Sequence, residues 1–246
     1  MSSDELAAEA RACLIAGATA IHLHVRDPQG RHSLDPELYV AATEAVRAAT
    51  EGNMVVQITT EAVGVFTPAQ QIATVRSVCP EAVSLAVREL IPDQLSESVA
   101  GNFLSWAQGR KIGVQYVLYD PADIRRVVEL QRNGVIPHER PHVLLVLGRY
   151  AKNLTSDPSE LAPMLAELPE HWAWSLCAFG NTEAQCMQAA IDRRGHCRVG
   201  FENNLQGPDG KTAEGNATLV ENVTEMARLS PRSVGTIQDA RRLYLE

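Results

Sequence analysis

Seven short apolar segments recur along this chain, each separated from the next by a stretch with helical start signals. That alternation constrains the fold more than any other feature. The segments are 18–25, 54–60, 82–87, 112–118, 142–147, 172–178 and 197–202. Each has the length of a buried strand. Between them, Asp35-Pro36, Thr67-Pro68, Asp120-Pro121 and Asp157-Pro158 each set an N-cap residue before a proline at the first helical position. Ser2-Ser3-Asp4-Glu5 opens as a capping box, and Gly17 is a C-terminal stop for that first helix. Strand and helix in regular succession imply a parallel sheet, either closed into a barrel or wound on both faces. No G-x-G-x-x-G follows a strand, so a dinucleotide-binding fold has little support. The count favours an α/β fold, a (β/α) TIM-type barrel, with one irregularity. The first element is a helix, and the strand that would complete an eightfold barrel is expected ahead of Met1 and missing. No Gly/Ser linker or low-complexity segment divides the chain, so a single barrel domain over residues 1–246 is the economical reading.

Function in a parallel barrel gathers where the strands end. The first segment ends in Ile21-His22-Leu23-His24-Val25-Arg26-Asp27, followed by the turn Pro28-Gln29-Gly30. Side chains alternate along a strand, so His22, His24 and Arg26 are expected on one face. Two imidazoles at i and i+2 can chelate one divalent metal if a third ligand comes from elsewhere. The alternative is a histidine pair satisfied by hydrogen bonds within a core. A barrel would bring the last segment, with Arg198, Glu202 and Asn203, beside the first. His22, His24 and Glu202 would then form a three-ligand site with open positions.

Of 246 residues, 45% are hydrophobic and 21% charged, the make-up of an ordinary globular chain. The net charge of −8 argues against a nucleic-acid partner, which needs a basic face, but leaves room for a small anionic substrate beside a local arginine. Five scattered cysteines with no C-x-x-C fit a reducing cytoplasm. The acidic start lacks the pattern of a signal peptide, and no apolar run has the length of a membrane span, so no membrane partner is expected.

Several motifs, in order, resemble the β-keto acid cleavage enzymes, whose named member is the 3-keto-5-aminohexanoate cleavage enzyme. Ala16-Gly17-Ala18 with Ile21 to Asp27 and Gly30 is similar to the family's first signature, and Val56-Gln57-Ile58-Thr59-Thr60 to its second. Pro80-Glu81-Ala82-Val83-Ser84-Leu85 and Val146-Leu147-Gly148 follow. Arg198-Val199-Gly200-Phe201-Glu202-Asn203-Asn204 and Asn216-Ala217-Thr218-Leu219-Val220-Glu221 close the match. The resemblance implies a zinc-containing barrel, usually a homo-oligomer, that exchanges a β-keto acid and acetyl-CoA for acetoacetate and a new CoA ester. It carries over His22, His24 and Glu202 as metal ligands, Arg198 as a catalytic residue that orients or polarises the reacting groups, and Thr59 and Ser84 as hydroxyls that contact the keto acid. Zinc would act as a Lewis acid on the ketone, with Arg26 or Arg198 as the cation facing an enolate. Thr59 and Ser84 could equally cap strand ends, and Arg26 could pair with a carboxylate. For CoA phosphate, the helix start at Gly180-Asn181-Thr182 offers backbone N–H groups, unless it is only a capped helix end.

The chain departs from that family at four points. The first strand, which brings an acidic residue, has no counterpart. Asn203 stands where the family has Asp as proton acceptor, and an amide cannot take a proton at neutral pH. Val117 aligns where a Glu usually ends the fifth barrel strand, and Glu61-Ala62 replaces a glycine pair. Glu61, Tyr119 and His138 are the stand-ins for the missing carboxylates, His138 within an expected solvated loop. Two other readings therefore remain: a metal-dependent lyase or hydrolase on another keto acid, and a catalytically impaired metal-binding homologue. An unfilled barrel seam would leave bare strand edges, which favours association between subunits.

Overall fold

The structure is a computed structural model that describes residues 1–246. Helix α1 (Ser3–Ala16) leads into β1 (Ala20–Leu23), then a small antiparallel hairpin of β2 (Val25–Arg26) and β3 (His32–Ser33). There follow α2 (Pro36–Ala49), β4 (Val55–Thr59), α3 (Pro68–Val78), β5 (Ala82–Ala86), a single turn α4 (Val87–Leu90) and α5 (Glu97–Gly109). Next come β6 (Gly113–Leu118), α6 (Pro121–Arg132), β7 (His142–Leu147), α7 (Leu161–Glu167) and β8 (Ala173–Ala178). The chain ends with α8 (Glu183–Asp192), β9 (His196–Cys197), α9 (Asn216–Arg228) and α10 (Ile237–Leu245). Seven parallel strands pair in the order β1-β4-β5-β6-β7-β8-β9, a curled half-barrel sheet wrapped by helices.

The local start signals act as their chemistry requires. Ser2 and Glu5 form a reciprocal capping box, and Gly17 closes α1 in the left-handed region. The side chains of Asp35, Thr67 and Asp120 each accept a backbone N–H of the helix they start, and Asp157 does the same for the one-turn helix ahead of α7.

Strand alternation separates two packing surfaces. Val56, Ile58, Val83, Leu85, Val114, Tyr116, Val143, Leu145 and Leu176 point outward into the core shared with the helices. The inward positions are mostly smaller or polar. Gln57, Thr59, Ser84, Gln115, His142 and Ser175 are all buried, with Leu144, Val146 and Cys177 among them. Burial on both faces is why each strand reads as a near-continuous apolar run.

No strand lies between β1 and β9. Helices α1 and α9 span that gap: Asn216 Nδ2 donates to Glu9 Oε2 at 2.8 Å, and Thr224 Oγ1 donates to the Ala16 carbonyl at 3.0 Å. Gly17 makes the approach possible, since a Cβ there would lie 2.9 Å from Thr224 Oγ1. At the opposite end from the strand C-termini, α10 covers the bottom of the sheet. Ala240 packs with Val55 and Ala82, and Arg241 donates to the Gly52 carbonyl.

Two expected elements are shorter than the sequence suggests. The first strand stops at Leu23, because the chain turns at His24 into the β2–β3 hairpin, so the shared face does not extend to Arg26. The last strand comprises only His196 and Cys197. Beyond Arg198 the backbone folds into a turn in which Asn203 and Asn204 N–H groups both donate to the Gly200 carbonyl. No helix is long and apolar enough to cross a membrane, and all five cysteines are free.

A Cβ at Gly113 would overlap the Tyr244 carbonyl oxygen of α10. Gly113→Ala should therefore displace the terminal helix and cost about 1–3 kcal/mol, the usual range for overpacking. Denaturant unfolding of the two proteins measures this, and a loss below about 0.5 kcal/mol, the scatter of a neutral surface change, would contradict the packing.

Candidate active site

The strand C-termini and the loops after them surround a half-open cavity whose walls include His22, Thr59, Ser84, Val117, Arg198 and Glu202. Residues from the two ends of the chain meet there because the sheet curls. His22 Nε2 lies 3.0 Å from His24 Nε2, Glu202 Oε1 is 3.5 Å from His24 Nε2, and Glu202 Oε2 is 3.9 Å from His22 Nε2. One ligand atom from each of the three falls within 4.8 Å of the others. Atoms about 2.0–2.2 Å from one tetrahedral cation stand about 3.3–3.5 Å apart, so these separations bracket the spacing a divalent ion needs. His24 reaches the site from the turn after β1, not from the strand itself.

The donor chemistry fits a cation as well. Burial, followed by the nearby Arg198 charge, pushes the His22 pKa down to about 3, outweighing the pull of Glu202. The ring is neutral at pH 7 and keeps a lone pair. Burial alone would raise the Glu202 carboxyl, but the Arg198 guanidinium, then the bond from His24, hold it well below the usual carboxylate range. Glu202 is thus ionised. Arg198 Nη2 lies 3.2 Å from Glu202 Oε2, and its Nε is buried with no hydrogen-bond partner, leaving a donor for a further group.

The other expected site residues divide. Thr59 and Ser84 line the cavity beside His22, and Thr59 Oγ1 also accepts the Glu61 backbone N–H at 3.0 Å, so it closes its strand end too. Asn203 lies one residue beyond Glu202, buried, with its amide nitrogen unpartnered. Gly180 and Asn181 sit with Asn203 on an outer groove that shares Arg149, Phe179 and Glu202 with the inner cavity. The Gly180 N–H donates to the Asn203 carbonyl at 3.1 Å, and α8 begins at Glu183 after Thr182, whose hydroxyl donates to the Ser156 carbonyl. Arg26 is not brought to the cavity: it is exposed, and its guanidinium donates to the Gly30 carbonyl within the hairpin. His138 is half-buried, not a solvated loop residue, with Nδ1 2.9 Å from the Tyr116 hydroxyl, away from the site.

Two groups on the cavity wall lie outside the sequence motifs. Arg149, just past the β7 end, lies over the Phe179 ring and pairs with Glu61 at 3.3 Å. Glu89, in the turn after β5, accepts from the Ala62 N–H and the Gln71 amide, and burial raises its pKa above the ordinary carboxylate value. Tyr119, weighed only as a stand-in, lines the cavity with them. The signal that would have found Arg149 and Glu89 is position: each follows a strand C-terminus by a few residues, where barrel function concentrates.

The turn that carries Glu202 is held from outside. Asn204 Nδ2 donates to Glu183 Oε2 at 3.0 Å, and the Phe201 N–H donates to Asn216 Oδ1 at 2.8 Å. Glu183 is buried and its other oxygen has no partner. Burial pushes its pKa up to about 7, against bonds from Asn204 and Gly200 that lower it.

The family model described as beta-keto acid cleavage enzyme matches residues 1–245. Among curated relatives, the "3-keto-5-aminohexanoate cleavage enzyme" of Fusobacterium nucleatum is 29% identical over 98% of this chain and 88% of its own length. The "3-oxoadipate:acetyl-CoA acetyltransferase" of Cupriavidus necator is 26% identical over 95% of this chain and 83% of its own. Among solved structures, a phospho-2-dehydro-3-deoxyheptonate aldolase from Thermotoga maritima superposes with a TM-score of 0.57 at 14% identity. It covers 93% of this chain and 66% of its own, a likeness of fold alone.

The Glu183 carboxyl, with a native pKa near 7 against an ordinary 4.5, binds its proton more tightly in the folded state. The stability linked to that proton is complete below about pH 4.5 and is lost as pH rises through 7. Glu183→Gln removes the titration, so the variant should gain on the wild type between pH 5 and pH 8. Urea unfolding of both at the two pH values measures this, and an offset that does not change with pH would contradict the assignment.

Proposed function

The chain belongs to the beta-keto acid cleavage enzyme family, and on that premise we propose that it exchanges a β-keto acid with acetyl-CoA, giving acetoacetate and a new CoA ester, with zinc held by His22, His24 and Glu202. One observation carries the reading: the His22 and His24 imidazoles and an ionised carboxylate converge at the edge of a cavity whose wall holds His22, Glu202, two hydroxyls and an arginine. The relatives' names support the substrate class, since they pair keto acids with cleavage or with acetyl-CoA.

A bound divalent ion would supply Lewis-acid polarisation of the ketone. The chain's own groups account for the rest. Thr59 and Ser84 present hydroxyls to the carboxylate of the keto acid from the cavity wall. Arg198, fixed by Glu202 and with Nε free, faces the negative charge that develops on the oxygen when the carbon–carbon bond breaks. Preorganised in a half-enclosed site, such a cation contributes more than it would in water. The carbon between ketone and carboxylate must lose a proton, and Asn203 cannot accept it. Glu89, whose proton affinity burial raises, and Glu61 are the carboxylates available on the same wall. The outer groove with Gly180 and Asn181 is the approach for acetyl-CoA, its phosphates toward the backbone before α8.

The five free cysteines support a reducing, cytoplasmic setting. The edges of β1 and β9, which pair with no strand across the gap, support association between copies of the chain. Asn203 favours a second reading, a homologue that holds metal and keto acid but turns over slowly.

The wild type should retain stoichiometric zinc after dialysis and form a CoA ester from a β-keto acid and acetyl-CoA. The double variant His22→Ala, His24→Ala should lose the metal, and stoichiometric zinc in that variant would overturn the site. Asn203→Asp should raise the rate, by about 100-fold if the amide is the principal defect. An unchanged or lower rate would mean that the proton acceptor lies elsewhere.

A further inference from the structure

We infer that Gln57 is a positioning residue that fixes the proton of the His22 ring on Nδ1, and that Gln115, His142 and Ser175 hold Gln57 in that role. The inference rests on the metal-site reading above. Barrel interiors are usually filled by Val, Ile and Leu. Directly beneath His22 this chain instead buries a polar layer, drawn from β4, β6, β7 and β8. Strand register builds it: His22 pairs with Gln57 across β1 and β4, and Gln115 with His142 across β6 and β7.

The bonds within the layer run in one direction. His22 Nδ1 lies 2.8 Å from Gln57 Oε1. An amide oxygen only accepts, so Nδ1 carries the ring proton and Nε2, the atom facing His24 and Glu202, keeps its lone pair. Gln57 Nε2 donates to Gln115 Oε1 at 3.2 Å. Gln115 Nε2 donates in turn to His142 Nε2 at 2.9 Å, where the Ser175 hydroxyl also lies at 2.9 Å. Facing the Gln115 amide N–H, His142 Nε2 is an acceptor, the Ser175 hydroxyl is free to turn its own hydrogen toward the same nitrogen, and that end sets the orientation of both amides. Reversing both amides would put a donor against His22 Nδ1, move the ring proton to Nε2 and close the site to a cation. The far side of the layer is sealed by α10, whose Tyr244 ring packs 4.7 Å from that of His142. A buried polar chain of this kind is tolerable only when every member is paired, so each link constrains the next.

Two measurements test this. In the zinc-stripped full chain, long-range 15N–1H correlation spectra should show His22 with a protonated Nδ1 and an unprotonated Nε2. A protonated Nε2 would overturn the proposal. In the second, zinc affinity is read by competition with a chromophoric chelator. Gln57→Leu should weaken it by about 10–100-fold, the usual effect of removing such a partner. Gln57→Glu, which keeps an acceptor for Nδ1, should recover most of that loss. Equal affinity in Gln57→Leu and wild type, or equal loss in the Leu and Glu variants, would overturn the role. If Gln57→Leu fails to fold, Gln115→Leu serves in its place, with a smaller loss expected and none contradicting the chain. Failure of the wild type to bind zinc would sink the metal-site reading, and the His22 proton position would then decide this one alone.

Discussion

The contact between His22, His24 and Glu202 exists only because a sheet of seven strands curls far enough for its first and last members to face each other, with no strand filling the gap. Backbone pairing cannot hold that seam, so side chains do. On the outside, Asn216 bonds Glu9 and Thr224 bonds the Ala16 carbonyl, joining α1 to α9. Within the mouth, Asn216 also accepts from Phe201 in the turn that carries Glu202. One asparagine thereby links the closing of the sheet to the placement of the carboxylate.

The inside of the sheet is built for polarity and the outside for adhesion. Outward-facing Val, Ile and Leu bury against helices and provide the cohesion. The inward positions carry Gln, Ser, Thr and His, each costly to bury unless bonded. This division lets the cavity wall present the neutral His22 imidazole and hydroxyls without weakening the packing around it. Arg198 and Glu202 do for charge what the amide layer does for hydrogen bonds: each holds the other in its ionised form inside a half-buried site.

The strands were legible because burial on both faces leaves an unbroken apolar signature, and the helix starts because Asp-Pro and Thr-Pro act locally. His22 and His24 are legible from their i, i+2 spacing, whereas Glu202 joins them only through the barrel or the family resemblance, since its distance along the chain gives no hint of contact. The two-residue period does not carry past His24, because the strand ends there, and Arg26 therefore leaves the face that the sequence pattern assigns it. The last strand was overextended because Val199 and Phe201 mimic alternation while Gly200 organises a turn. Gln57 and Gln115 passed unnoticed, because a single polar residue within an apolar run does not reveal which residue it meets across the barrel. Arg149 lies on a loop and Glu89 on the single-turn helix α4, where sequence pattern carries little information about direction. The sealing of the barrel floor by α10 depends on packing against Gly113 and Ala82 that no local signal encodes.

Zinc K-edge X-ray absorption on the purified wild-type chain addresses the shared cation most directly. Two imidazole nitrogens and a carboxylate oxygen at about 2.0–2.2 Å, with no sulfur in the shell, are the result expected here. A shell containing thiolate sulfur, or one without imidazole scattering, would contradict it.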